Sequence, residues 1–263
     1  MSNYQTITFS VAEGVARITL NRPEAANGIN PELAAELASA AAACDGNPAV
    51  RVVILSANGR FFSAGGDVKA MAKMGDGMPA GLKALADDLH KATSTLARMS
   101  APLVVAVNGV AAGAGFSLAI AGDLVIAGES AGFTMAYSKV GLSPDGSSSY
   151  FLPRLVGLRK TQELMLTNRQ LTAAEAWEWG LINSVVADAD LQAEAEKLAA
   201  LVASASPESN AAIKGLLLQS FGSGLETQME IEGRTIAGCA ATANGREGVA
   251  AFVEKRRPKF SAG

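Results

Sequence analysis

Three observations predict an α/β fold. Short apolar runs with strand character alternate with amphipathic helical segments as far as Ser143. Beyond that point strand signals give way to helices. Finally, 49% of the 263 residues are hydrophobic, enough to build a sizeable core.

Residues 5–20 read as a β-hairpin. Ile7, Phe9 and Val11 alternate with polar residues, Glu13-Gly14 makes the turn, and Ala16, Ile18 and Leu20 alternate again. Asn30-Pro31-Glu32 is a helix start, with a capping side chain, a proline in the first turn and an acid favoured by the helix dipole. Leu33, Leu37, Ala41 and Cys44 then share one helical face. A strand follows at Val52–Leu55. Residues 73–81, rich in glycine and carrying a proline, read as a mobile loop. Leu82, Leu85, Leu89, Ala92 and Leu96 mark an amphipathic helix. A strand at 103–107, a helix from about 113 and a strand at Leu124–Ile126 complete a βαβ rhythm. Ser143-Pro144-Asp145-Gly146 is a turn signal. Later, Leu191, Ala195, Leu198 and Val202 share a face, and the segment from Ser206-Pro207 onward is helical. The organisation expected is an α/β core over residues 1–205 and a C-terminal helical region over 206–263, with no repeat or low-complexity linker to mark a second independent domain.

Bulk properties narrow the function. A net charge of −3 and a pI near 5.4 argue against a broad nucleic-acid-binding surface. Two distant cysteines, Cys44 and Cys239, fit a reducing cytosol and form no metal-ligand cluster. With His90 the sole histidine, a histidine-rich metal site is excluded, and no metal is expected. Met-Ser-Asn-Tyr-Gln does not resemble a secretory leader, and no apolar run reaches membrane-span length. The expected location is the cytoplasm.

Two glycine-rich turns carry the chemistry. Each follows an apolar run: Phe61-Phe62-Ser63-Ala64-Gly65-Gly66-Asp67 after Val52–Leu55, and Val107-Asn108-Gly109 with Gly113-Ala114-Gly115 after Leu103–Val107. Few side chains obstruct such turns, so a ligand can approach the backbone closely. Amide N–H groups there can point at one oxygen that gathers negative charge, forming an oxyanion hole. One such donor lowers the barrier of a reaction that builds negative charge on that oxygen by about 3–4 kcal/mol.

These two turns, with Asn21-Arg22-Pro23-Glu24 and Ala176-Trp177-Glu178-Trp179-Gly180-Leu181, resemble the crotonase (enoyl-CoA hydratase/isomerase) superfamily in order and spacing. The resemblance covers nearly the whole chain. It implies a spiral of ββα repeats, C-terminal helices that mediate trimer formation, and an assembly that is either a homotrimer or a hexamer of two trimers. It implies an acyl-CoA thioester as substrate, with no metal or redox cofactor. By motif position the thioester oxygen falls to the amides of Gly66 and Ala114. The carbonyls of Ala64 and Val68 face the adenine amino group, and Asp67, Ala112, Gly113 and Pro144 line the substrate. Arg22 and the C-terminal segment carrying Lys255, Lys259 and Phe260, reaching from a neighbouring subunit, are implied phosphate contacts.

The hydratases of this family use two glutamates, and the matching positions here hold Ser117 and Tyr137. Neither readily exchanges a proton at neutral pH without a base beside it. Asp145 remains. Isomerases of the phenylacetate-degradation type resemble the stretch Gly141–Gly146 and use this aspartate to shuttle a proton between carbons. A pocket of Phe, Tyr, Leu and Ala would desolvate the carboxylate and strengthen it as a base. The leading expectation is therefore an acyl-CoA isomerase, with Asp145 as acid and base.

Ser147–Arg154 and Glu163–Arg169 also resemble the 4-chlorobenzoyl-CoA dehalogenases. In that branch the aspartate attacks the aromatic ring, a histidine matching His90 activates water, and a tryptophan replaced here by Tyr137 orients the aspartate. A third alternative is a protein that binds acyl-CoA, or less readily RNA, without chemistry. Read from the residues alone, His90 is a packing residue at the flank of its helix, Tyr137 a pocket wall, and the C-terminal basic run a solvated tail or a CoA contact in equal measure.

Overall fold

The computed structural model describes residues 4–261. Met1, Ser2 and Asn3, used in the leader argument, lie outside the described residues, as do Ala262 and Gly263. The chain runs β1 (Ile7–Ala12), β2 (Val15–Leu20), α1 (Pro31–Asp45), β3 (Val52–Ala57), β4 (Phe61–Ser63), α2 (Val68–Ala72), α3 (Met78–Arg98), β5 (Leu103–Val107), β6 (Val110–Ala112) and α4 (Ala114–Ile120). It continues with β7 (Leu124–Gly128), β8 (Gly132–Thr134), α5 (Ser148–Val156), α6 (Leu158–Thr167), β9 (Leu171–Thr172), α7 (Ala173–Glu178), β10 (Ser184–Val186), α8 (Leu191–Ala203), α9 (Pro207–Ser220), α10 (Leu225–Ala240) and α11 (Ala243–Val253).

A six-stranded sheet takes the order β1-β2-β3-β5-β7-β10, antiparallel only at the β1–β2 hairpin. Helices cover both faces, which is why β3 and β5 read as continuous apolar runs. Val53, Leu55 and Val105 point into the larger core with Leu33 and Leu37 of α1 and Leu89 and Leu96 of α3. Val52, Ile54 and Val104 point the other way, onto Leu191, Ala195 and Ala199 of α8. The α1 start forms as its sequence dictates, with the Asn30 side chain accepting a hydrogen bond from the Leu33 N–H at 2.9 Å.

A second, four-stranded sheet, β4-β6-β8-β9, has strands of two or three residues, too short for any periodicity to reveal. The units β3-β4-α2, β5-β6-α4 and β7-β8-α5 each place one strand in each sheet. This is the ββα spiral implied by the resemblance.

The loop expected over residues 73–81 is corrected. A 3-10 turn occupies Gly75–Gly77 and α3 starts at Met78. Pro79 lies in the first turn of that helix, where a missing N–H costs nothing, so it opens the helix rather than breaking it.

At the C-terminus, Ser206 caps α9 and accepts from the Ser209 N–H. Ile213, Leu217, Phe221, Leu225, Met229 and Ile236 leave an apolar face of α9 and α10 exposed. Among the described residues no helix is long and apolar enough to cross a membrane.

Candidate active site

The two glycine-rich turns touch. A Cβ at Gly115 would stand 2.5 Å from the Ser63 Cβ and 2.6 Å from the Ser63 carbonyl oxygen, so only glycine lets α4 start this close to the end of β4. Gly65 has φ +91°, and a Cβ there would meet the Ala112 carbonyl at 2.7 Å. The first turn is pinned on both sides of Gly66: the Ile29 N–H donates to the Gly65 carbonyl (2.7 Å) and the Asp67 N–H to the Ile29 carbonyl (3.0 Å). The second is pinned by the Gly113 N–H on the Thr134 carbonyl (3.0 Å). Among the described residues, the N–H groups of Gly66 and of Ala114, the first residue of α4, have no hydrogen-bond partner. Both residues line one cavity of about 410 Å³, whose walls include Ala64, Val68, Gly113, Tyr137, Pro144 and Asp145.

Asp145 is held at three points. Its Oδ1 contacts His90 Nε2 of α3 and accepts from the Gly146 N–H. Its main-chain carbonyl accepts hydrogen bonds from three hydroxyls: Ser117 Oγ (2.6 Å), Ser148 Oγ (3.0 Å) and Tyr137 OH (3.2 Å). The next two residues, Gly146 and Ser147, have φ +67° and +77°. For serine that conformation costs about 1–3 kcal/mol and persists only where the surroundings over-determine it. Ser117 and Ser148 are fully buried. Burial pushes the Tyr137 phenol far above its ordinary range, so it remains a neutral donor. His90 stands in the wall of a neighbouring cavity of about 480 Å³, which shares Pro144 and Asp145 with the first. Its side chain is half exposed rather than a packing residue, which its place beside Leu89 did not disclose.

The remaining expected residues are dispersed. Ala112 ends β6, behind Gly65 and outside the cavity wall. Asp67 caps α2, accepting from the Ala70 N–H at 3.1 Å, and pairs with Arg22 at 3.2 Å. Burial works to raise its pKa, but the Ala70 bond and the Arg22 guanidinium prevail and hold it below the usual carboxylate value. Arg22 also donates to the Gly28 carbonyl, so its guanidinium braces the loop before α1 instead of lining the cavity. Lys255, Lys259 and Phe260 follow α11, away from the cavity wall: the Lys259 N–H donates to Glu247 (2.8 Å) and the Phe260 carbonyl accepts from Arg51 (3.3 Å). Two residues escaped the sequence reading. Ser148 is one, and no local signal marks it. Met71 is the other: its Cε lies 2.2 Å from where a Gly66 Cβ would be, so it covers the Gly66 side of the cavity. Among the described residues no group of three or more His, Cys, Asp or Glu is placed to hold a metal.

Residues 10–263 match the family model described as enoyl-CoA hydratase/isomerase. The 1,2-epoxyphenylacetyl-CoA isomerase of Escherichia coli is 38% identical over 95% of this chain and 96% of its own. The 4-chlorobenzoyl coenzyme A dehalogenase-2 of an Arthrobacter species is 33% identical over 95% of this chain and 91% of its own. The crystal structure of an enoyl-CoA hydratase from a Polaromonas species superposes with a TM-score of 0.93, at 33% identity, over 97% of this chain and 99% of that one.

Proposed function

This chain belongs to the enoyl-CoA hydratase/isomerase family, and from that premise we propose that it moves a double bond in an unsaturated acyl-CoA. The observation that carries this reading is the cavity wall: Gly66, Ala114 and Asp145 line it together, and Asp145 is the only carboxylate among its lining residues. The thioester oxygen would accept hydrogen bonds from the Gly66 and Ala114 N–H groups. The Asp145 carboxylate takes a proton from the carbon on one side of the double bond. The electron pair delocalises as a dienolate whose charge rests on that oxygen, and Asp145 returns the proton two carbons away. One carboxylate suffices for this exchange, and nothing is oxidised or reduced. Coenzyme A enters as part of the substrate. The Ala64 and Val68 carbonyls would receive its adenine, and Lys255, Lys259 and Phe260 of a neighbouring subunit its phosphates. The exposed apolar face of α9 and α10 supports a trimer, alone or paired into a hexamer, in the cytoplasm.

The His90–Asp145 contact favours a second reading, hydrolytic dehalogenation of an aryl-CoA. Asp145 would attack the halogen-bearing ring carbon, halide would leave, and water deprotonated by His90 would hydrolyse the resulting ester.

Both readings are tested by incubating the protein with a panel of acyl-CoA esters in heavy water. Double-bond migration with deuterium uptake supports the isomerase, and halide release lost in His90→Gln supports the dehalogenase. Asp145→Asn is expected to lower turnover by at least about 100-fold while CoA-ester binding persists. Full activity in that variant removes Asp145 from the mechanism.

A further inference from the structure

Asp145 is far better fixed at its main chain than a turn requires. A carbonyl oxygen has two lone pairs, yet three hydroxyls from three segments converge on this one: Ser117 Oγ from α4 at 2.6 Å, Ser148 Oγ from α5 at 3.0 Å, and Tyr137 OH from the 3-10 turn after β8 at 3.2 Å. The Ser117 and Tyr137 oxygens are also 3.2 Å apart, so with Ser117 donating to the carbonyl the single Tyr137 proton is shared between the carbonyl and Ser117 Oγ. The approach is close by construction. Gly146 has φ +67°, and a Cβ there would stand 2.9 Å from Ser117 Cβ. Ser147 is held with φ +77° directly after it. Backbone strain beside a working carboxylate, locked by buried hydrogen bonds, is the signature of an imposed position.

We propose that Ser117, Tyr137 and Ser148 are positioning residues, a hydroxyl clamp on the Asp145 carbonyl that aims its carboxylate into the thioester cavity and against His90. None of the three is then an acid or base. The carboxyl oxygens stay free of the clamp, so the device fixes place without taking up the atoms that handle the proton. Two of the positions are those where the family's hydratases carry glutamates; here they serve the one carboxylate that lines the cavity. This inference rests on the proposed role of Asp145 for its kinetic consequence, but not for its geometry.

The test uses Ser117→Ala, Tyr137→Phe and the double variant. Each substitution removes one oxygen and leaves the packing nearly intact. Because His90 is the chain's only histidine, its Nε2 gives a single ¹⁵N imidazole signal that reports the contact with Asp145 whatever the reaction. The expected result is a displaced signal in the double variant, moved in the same direction as in Asp145→Asn. With an active ester, kcat falls by roughly 10-fold in each single variant and about 100-fold in the double, as for a catalytic group misplaced by about an ångström, while KM changes less than about twofold. A displaced His90 signal without activity on any ester keeps the clamp and overturns the proton-transfer reading. An unmoved His90 signal in a folded double variant overturns the clamp, as does a loss carried wholly by KM.

Discussion

Asp123→Asn tests the ion pair that ties α9 to the sheet. Lys214 is only 7% exposed. Its Nζ donates to the carbonyls of Leu96 (2.6 Å) and Ala101 (3.1 Å) and lies 2.7 Å from Asp123 Oδ2. The amide retains an oxygen for the Leu103 N–H, which Asp123 accepts at 2.7 Å, and removes only the negative charge. Stranding one charge of a fully buried pair costs about 3–5 kcal/mol. The Asp123 side chain is 31% exposed, so water screens part of the attraction, and the expected loss is about 2 kcal/mol. In a chain of this size that lowers Tm by about 4–8 °C. The pH dependence follows from the lysine. Burial pushes the Lys214 pKa below its ordinary value, against the pull of Asp123. Between the lowered folded pKa and the unfolded one, the unfolded chain binds the extra proton, so stability rises with pH across that interval. Removing the Asp123 charge lowers the folded pKa further and widens the interval. The deficit is therefore larger at about pH 7 than towards about pH 10, where the lysine sheds its proton in both the variant and the parent. Urea unfolding at fixed protein concentration, followed by circular dichroism at both pH values, measures it. An equal deficit at both, or none at neutral pH, refutes the reasoning.

Two further outcomes follow from the same geometry. In Gly115→Ala the new methyl meets the Ser63 backbone and side chain, all within 2.7 Å of its Cβ, so the two glycine-rich turns must part; stability should fall by about 1–3 kcal/mol and kcat by about 100-fold, and wild-type turnover would show that the spacing of the turns does not matter. Cys44 is 2% exposed and burial pushes its thiol up to about 12, so iodoacetamide should leave it unmodified in the native protein and modify it only after denaturation, as peptide mass spectrometry reports; labelling of the folded protein would contradict its burial.

Five of the six strands of the larger sheet were legible because their signals are local; β10, like β9 of the second sheet, lies beyond Ser143 where helices alone were expected, and its three residues carry no period. Asn30-Pro31-Glu32 marks the start of α1 through capping chemistry, and β5 announces itself as five consecutive buried apolar residues. The second sheet was not legible, since three residues such as Val110–Ala112 carry no period and pair only once the larger sheet has brought them together. Over 73–81 the glycines outweighed the helix signal, although Pro79 in a first turn is itself a helix start. The same divide runs through the site. That two glycine-rich turns follow two strands was readable locally, whereas Gly66 and Ala114 were named within them by motif position, and the structure places both on one cavity wall. The Ser117–Asp145 and His90–Asp145 contacts span 28 and 55 residues, and no pattern within one element encodes them.

The long-range contacts also bear on which chemistry the cavity favours. Adding water across a double bond calls for one group to take a proton from water and another to deliver one to carbon. The cavity wall offers Asp145 for one of these tasks and, at Tyr137, a phenol that burial keeps neutral. Ser117 is buried behind the wall with its hydroxyl committed to a carbonyl. A double-bond shift asks for a single group that works twice at two carbons of one substrate. Such a group gains from being fixed at its main chain with a carboxyl oxygen left open to substrate. Asp145 is anchored through its carbonyl by three hydroxyls, none of which bonds its carboxylate; its Oδ1 is engaged by His90 and the Gly146 N–H, and its Oδ2 has no hydrogen-bond partner among the described residues. The arrangement therefore favours a one-carboxylate proton transfer over a two-carboxylate hydration.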